Sequence, residues 1–324
     1  MISVMNRAAE SLNGDSEHIL KTPVIAVVGP TGTGKTRLAI ELAQKLNGEI
    51  ISGDSMQVYR EMDIGTAKAT PEEQKQAVHH LIDIQNYDEP YNVRIFQEKC
   101  RQAIEDIISR NRIPILCGGT GLYIKAALYD YEFTEEEENP ELKSRMEKMD
   151  NEALVDFLKR NDPQALEKIH PNNRKRLIRA AMMASSSETK SERENRQEHQ
   201  PVYDVLFIGL NAPKEIVDSR IEKRVDQMFE AGLADEVSRL FSDPKTWDYT
   251  SFQGIGYKEF RDWFASKKTL DEVRQAIAVH SRQYAKRQMT WFRNQMPVQW
   301  FDLNKTDLAI EAAQNFIHDR RKLS

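Results

Sequence analysis

Cysteine is scarce in this chain: two residues in 324, Cys100 and Cys117. Two thiols cannot build a disulfide framework, and on their own they cannot make a zinc site, so both are read as reduced and structural. Long apolar runs are also missing. Nothing approaches the roughly 20 residues of a membrane span, and Met1 to Thr22 lacks the apolar centre of a signal peptide. The expected location is the cytoplasm, with residues 1–21 as a mobile leader. Excess positive charge is absent too. A formal net charge of −5 excludes a generic polyanion binder, so any nucleic-acid surface has to be a local basic patch. No internal repeat is found.

What the chain does carry is Gly29-Pro30-Thr31-Gly32-Thr33-Gly34-Lys35-Thr36, which fits the phosphate-loop pattern G-x-x-x-x-G-K-[ST]. Before it, Val24 to Val28 is an apolar, β-branched run. After it, Arg37 to Leu46 has helical spacing of Leu38, Ile40, Leu42, Ala43 and Leu46. Strand, glycine loop and helix occur in the order the chemistry needs. Glycines let backbone N–H groups turn onto a phosphate, the helix N-terminus adds partial positive charge, Lys35 adds a full one, and Thr36 can place a hydroxyl on Mg²⁺. The loop therefore holds a di- or triphosphate without reading its organic group.

Further along, Gly48 is expected to end the first helix and Glu49 to Ser52 to form a second strand, delivering Gly53-Asp54-Ser55-Met56-Gln57-Val58-Tyr59 to a loop. If that strand neighbours the first, Asp54 falls near the phosphate loop; a turn or cap aspartate is the alternative. The adjacent His79 and His80 point to different sides and have no third ligand at metal spacing, so a structural role is expected. An amphipathic helix over Val93 to Ile108 leads to a strand over Ile113 to Cys117, then Gly118-Gly119-Thr120-Gly121 and a helix over Leu122 to Leu128. Two glycine loops on one sheet edge suggest a shared cleft.

Past Tyr129 the strands stop. After the acidic run Glu135 to Glu138, helical periods occupy Glu141 to Met149, Glu152 to Arg160 and Gln164 to Ile169. A basic cluster, Arg174-Lys175-Arg176-Leu177-Ile178-Arg179, follows at a helix start; a solvated helix face is its ordinary meaning. Residues 185–200 are polar and read as a flexible loop. Strand character returns at Asp204 to Leu210. The next helix, starting at Pro213, carries Arg220 and Arg224 one turn apart, with Asp218 and Glu222 nearby to make surface ion pairs. A Gly-Ile-Gly loop spans Ser251 to Lys258. A helix from Leu270 to Asn294 interleaves bases with aromatics over Arg282 to Arg293, a composition for phosphate contacts and base stacking or for a helix with one wet and one buried side. Pro297 to Leu303 reads as a last strand before a terminal helix.

The fold expected is α/β, a phosphate-loop parallel sheet core over 22–130 and 202–324 with an all-helical insertion over 131–201. Three phosphate-loop classes compete: a small-molecule kinase, a GTPase-like switch, and a transferase whose leaving group is diphosphate. Asn304-Lys305-Thr306-Asp307 matches the guanine-reading N-K-x-D, yet no D-x-x-G occurs, so this tetrapeptide is taken as a turn. A metabolite kinase has no need of two basic helical segments.

Taken together, G-P-T-G-T-G-K-T, G-D-S-M-Q-V-Y, M-D-I-G-T-A-K, H-H-L-I-D, G-G-T-G-L-Y, Q-G-I-G-Y-K and A-K-R-Q-M-T-W-F-R, in that order from about Val24 to Phe301, resemble the bacterial tRNA dimethylallyltransferases, or tRNA isopentenyltransferases. The resemblance implies transfer of a dimethylallyl group from dimethylallyl diphosphate to N6 of the adenosine 3′ of the anticodon, in tRNAs reading codons that begin with U. It implies that Gly29, Thr31, Gly32, Thr33, Gly34, Lys35, Thr36, Arg220 and Arg224 hold the prenyl diphosphate, that Mg²⁺ sits on Thr36, and that Asp54, Thr36 and Arg224 are catalytic. For tRNA it implies Asp54, Ser55, Met56, Gln57 and Thr120, then Lys175, Arg176, Leu177, Ile178 and Arg179, then Gln253, Gly254, Ile255, Gly256, Tyr257 and Lys258, and finally Lys286, Arg287 and Arg293. A monomer is expected. The stretch after Arg179 lacks the family's usual T-G-K segment, which bears on local RNA contacts and not on the chemistry. Adenylate prenyltransferases share the phosphate loop but act on a free nucleotide; the insertion and the Ala285-Lys286-Arg287-Gln288 block argue against them.

Overall fold

The structure is a computed structural model and describes residues 21–133, 139–185, 189, 191–192 and 200–322. The expected leader, the acidic run at 135–138 and most of the polar stretch at 185–200 lie outside the described residues. In chain order the first half comprises β1 (Pro23–Val28), α1 (Lys35–Leu46), β2 (Gly48–Ser52), α2 (Pro71–Gln76), β3 (His79–His80), α3 (Val93–Ser109), β4 (Ile113–Gly118) and α4 (Gly121–Leu128). Four helices follow: α5 (Pro140–Lys148), α6 (Asn151–Asn161), α7 (Ala165–Lys168) and α8 (Arg174–Met183). The chain then returns through β5 (Asp204–Asn211), α9 (Lys214–Glu230), α10 (Leu233–Leu240), α11 (Arg261–Phe264), α12 (Leu270–Gln295), β6 (Gln299–Asp302) and α13 (Thr306–Arg321).

All strand pairings are parallel, in the order β3-β2-β4-β1-β5-β6. Strand β1 is central, and its residues divide between two layers. Val24, Ala26 and Val28 join the apolar cluster with α3, α4, α9 and α12, whereas Ile25 and Val27 join the one with α1 and α13. Burial on both faces is why this strand reads as an unbroken apolar run. Helices α5 to α8 carry an apolar cluster of their own, with Met146, Leu154, Leu158 and Leu177 at its centre. Among the described residues no helix is long and apolar enough to cross a membrane.

Two expectations are corrected. Helix α1 ends on Asn47 in the left-handed conformation (φ 54°), and Gly48 opens β2, where a Cβ would lie 2.8 Å from the Ile113 carbonyl oxygen. Strand β2 does not neighbour β1, because β4 lies between them. His79 and His80 form the short edge strand β3; His80 Nε2 pairs with the buried Glu49 at 2.7 Å, consistent with a structural role. Asn304 and Lys305 lie in the turn from β6 into α13, with Lys305 N–H on the Asp302 carbonyl, and Thr306 and Asp307 open the helix.

Candidate active site

Beyond the carboxyl ends of β1, β2 and β4 lies a cleft of about 1180 Å³, where open α/β sheets bind ligands. Its floor is the phosphate loop. Gly29, Gly32 and Gly34 all have positive φ (136°, 87° and 82°), a backbone path that side-chain-bearing residues rarely take. Thr33 is buried and its hydroxyl donates to the Pro30 carbonyl at 2.9 Å, so its side chain braces the loop instead of facing a ligand. Lys35 Nζ donates to the same carbonyl at 2.7 Å. Thr31, Gly32, Gly34, Lys35 and Thr36 line the cleft.

Helix α9 packs along this loop, with Ile221 3.4 Å from where a Gly32 Cβ would lie. The acidic neighbours that offered Arg220 and Arg224 an ion-pair reading are taken: Asp218 pairs with Lys214 and Glu222 with Arg282. Arg220 is left reaching the Gly32 carbonyl at 3.4 Å, and Arg224 lines the cleft with no ion pair among the described residues. Burial weighs against the Arg224 charge, while Asp54 and Glu73 favour it. Burial also lowers Lys35 to about 8; Cys117 and Asp54 oppose the shift and Arg224 adds to it. The thiols fit their structural reading, with burial raising Cys117 to about 11 and Cys100 to about 12.

Asp54 reaches this charge cluster across β4, not from an adjacent strand. Gly53 N–H donates to the Cys117 carbonyl at 2.8 Å, and a Cβ on Gly118 would stand 2.4 Å from the Gly53 oxygen. The bare backbone of Gly118 is what lets the β2 loop fold over β4. Asp54 Oδ1 accepts from Met56 N–H at 2.8 Å, leaving the rest of the carboxylate on the cleft beside Ser55, Met56 and Gln57. Ser55 N–H donates to the Thr120 hydroxyl at 3.3 Å, and Gln57 Nε2 donates to the Ala67 carbonyl at 3.2 Å. Thr120 therefore positions the loop that carries Asp54.

The Gln253 to Lys258 block divides. Gln253, Gly254, Ile255 and Lys258 line the cleft. Gly256 and Tyr257, also expected at the RNA, do not. Tyr257 is fully buried, its ring lies against Gly65, and its hydroxyl donates to Glu236 at 2.7 Å; Gly256 N–H donates to the buried Glu259 at 2.9 Å. The basic cluster on α8 divides likewise. Lys175, Arg176 and Arg179 are exposed, but Leu177 is buried and Ile178 half-buried in the α5 to α8 cluster, because helical periodicity turns them to the opposite face. On α12, Arg287 lines the cleft, Lys286 is exposed, and Arg293 sits away from the cleft over Trp300, 5.8 Å from its ring, and reaches Asn211.

Three site residues were not singled out from sequence. Glu236, buried on α10, accepts from the backbone N–H groups of Asp63, Ile64 and Gly65 at 3.0, 2.8 and 3.1 Å, besides Tyr257, and so fixes the loop over Asp63 to Lys68 that forms one wall. Gln288, buried on α12, accepts from Thr31 N–H at 3.0 Å and donates to the Gly119 carbonyl at 2.9 Å. Tyr284 lines the cleft one turn before it, close to Thr120 and Gln288, and its hydroxyl is raised in pKa chiefly by burial. The 281-284-288 spacing on one helix face was the available signal for the last two. Glu236 had none.

With this geometry in place, comparison with known proteins is informative. The family model described as IPP transferase matches residues 57–295, and the one described as isopentenyl transferase matches residues 22–87. A tRNA dimethylallyltransferase of Bacillus licheniformis is 47% identical over 288 residues, covering 87% of this chain and 91% of that protein. One from Staphylococcus carnosus is 46% identical over 298 residues, covering 90% and 94%. Among solved structures, the full-length tRNA isopentenylpyrophosphate transferase of Bacillus halodurans is 40% identical with a TM-score of 0.71, covering 94% of this chain and 99% of that one. A eukaryotic dimethylallyltransferase acting on tRNA is 31% identical with a TM-score of 0.82, covering 92% and 80%.

Proposed function

The chain belongs to the tRNA dimethylallyltransferases of the IPP transferase family, and from that membership we propose how its cleft performs the reaction. The protein transfers a dimethylallyl group to N6 of the adenosine immediately 3′ of the anticodon in tRNAs reading UNN codons, and releases diphosphate. One observation carries the assignment of parts: a phosphate loop, an arginine with no ion pair among the described residues and a carboxylate meet in a single cleft. Dimethylallyl diphosphate lies on the loop, its phosphates held by the backbone N–H groups of Gly32 to Gly34, by Lys35 and by Arg220 and Arg224. The C–O bond breaks as negative charge gathers on diphosphate, and Lys35 and Arg224 favour that charge. Adenine N6 is a weak nucleophile, since its lone pair is delocalised into the ring. Asp54 orients it and takes its proton.

The Thr36 hydroxyl lines the cleft and makes no side-chain hydrogen bond among the described residues, which suits a hard cation that keeps most of its waters and shares phosphate oxygens. Mg²⁺ held there would neutralise part of the diphosphate charge. For RNA, residues 131–201 act as a helical insertion domain whose exposed Lys175, Arg176 and Arg179 take one side of the anticodon stem-loop, while Lys286 and Arg287 take the other. The flipped adenine passes between Thr120 and the Gln253 to Ile255 and Lys258 wall. The protein works as a monomer in the cytoplasm.

The test is incubation with labelled dimethylallyl diphosphate and bulk tRNA lacking this modification, followed by nucleoside analysis. Label in N6-isopentenyladenosine is expected. Label absent from RNA but present on free adenine nucleotides would assign the cleft to a nucleotide prenyltransferase.

A further inference from the structure

We propose that Gln288 is a positioning residue for the diphosphate site, a side chain that locks the phosphate loop to the loop after β4. The inference rests on the reading that the cleft binds diphosphate. Its geometry is specific to a primary amide. Oε1 accepts from Thr31 N–H at 3.0 Å while Nε2 donates to the Gly119 carbonyl at 2.9 Å, across 257 and 169 residues of chain, and the side chain is buried. A carboxylate could satisfy only the first partner and a thioether neither. Gly119 is shaped for this amide, since a Cβ there would lie 2.1 Å from Nε2. The Thr31 N–H belongs to the phosphate loop yet is committed to Gln288, so this side chain sets the path from which the following N–H groups turn toward phosphate. It also attaches that loop to α12, whose Tyr284 and Arg287 line the same cleft.

Leaving a buried N–H and carbonyl unsatisfied is costlier than removing a solvated hydrogen bond, and here the displaced group is the ligand cradle itself. Gln288→Met keeps the volume and removes both hydrogen bonds. Inorganic pyrophosphate binding, measured by calorimetry with Mg²⁺, is expected to weaken roughly tenfold or more. KM for dimethylallyl diphosphate should rise by a similar factor with kcat less affected, while tRNA affinity stays unchanged. A Gln288→Ala background makes room for a methyl group at 119, so Gly119→Ala should cost much pyrophosphate affinity in the parent protein and little in that background. Equal cost in both backgrounds, or unaltered pyrophosphate affinity in folded Gln288→Met, overturns the proposal. If the parent protein itself fails to bind pyrophosphate, the diphosphate reading falls along with it.

Discussion

The two walls of the cleft are built on opposite plans. On the phosphate side the turn itself is local, three positive-φ glycines within eight residues closed by Thr33 on Pro30, and Gln288 ties that ready-made turn to α12. On the facing side, the Asp63 to Lys68 loop takes its form from Glu236, 171 to 173 residues away, and the Ser251 to Lys258 loop is tied in through Tyr257 and the same carboxylate. One wall is a motif; the other is an assembly. Charge at the first wall should therefore be removable without loss of shape, whereas a single polar group behind the second should govern both shape and stability.

The largest effect should come from stripping the charges that face the phosphate loop. Asp54→Ala should lower turnover by roughly 10² or more, the usual scale for a positioned base, with pyrophosphate affinity nearly intact. Arg224→Ala should lower turnover by a similar or greater factor, roughly 10² to 10³, because it acts on charge that grows in the transition state. Single-turnover kinetics and melting curves separate the cases. Unfolding of either variant would break the contrast between a locally built wall and an assembled one.

Next is the assembled wall. Glu236→Gln keeps volume but turns an N–H₂ toward groups that are themselves donors, so stability should fall by about 2 kcal/mol. Turnover should fall with it while pyrophosphate binding holds, since the phosphate loop is shaped elsewhere. A variant with the parent's denaturation midpoint would show that the Asp63 to Lys68 loop holds itself.

The same division decides what was legible in the sequence. Strands β1, β4 and β5, the phosphate loop and the long helices could be read because each is specified by periodicity or glycine within a short window. The placement of Asp54 rested on a strand adjacency that does not occur, and it reaches the site because Gly118 has no Cβ to block the crossing. Gln288 lay inside a basic and aromatic stretch valued for RNA contact, and its partners are a backbone N–H and a backbone carbonyl, which no side-chain pattern encodes. Tyr257 and Leu177 were carried along with their motif neighbours, although alternate residues of one motif face opposite ways.

A smaller effect concerns protonation at the phosphate wall. Burial lowers Lys35 to about 8, so near that pH a substantial part of the free protein holds it neutral, and a bound diphosphate favours the charged form. The sign follows: pyrophosphate binding near pH 8 should take up a fraction of a proton, and affinity should decline as pH rises further. Calorimetry in two buffers of different ionisation enthalpy gives the uptake. Lys35→Arg, charged throughout, should keep only the uptake that belongs to pyrophosphate itself; identical values in the two proteins would remove Lys35 as the titrating group.

The smallest effect lies outside both walls, on the RNA faces of α8 and α12. A chain of net charge −5 has to confine polyanion binding to local clusters, and Arg176 and Lys286 are exposed members of two of them. Removing one cation that neutralises an RNA phosphate should reduce the slope of log affinity against log salt by somewhat under one unit, for any tRNA sequence. Arg176→Ala and Lys286→Ala are the better probes, because Arg287 faces the cleft and its removal would mix RNA and diphosphate effects. Pyrophosphate affinity should not move in either variant. If the slope is unchanged for Arg176→Ala but falls for Lys286→Ala, the RNA path runs along α12 alone and the basic face of α8 is an ordinary solvated surface. Unchanged slopes in both would detach the RNA path from these helices altogether, leaving the cleft chemistry as it stands.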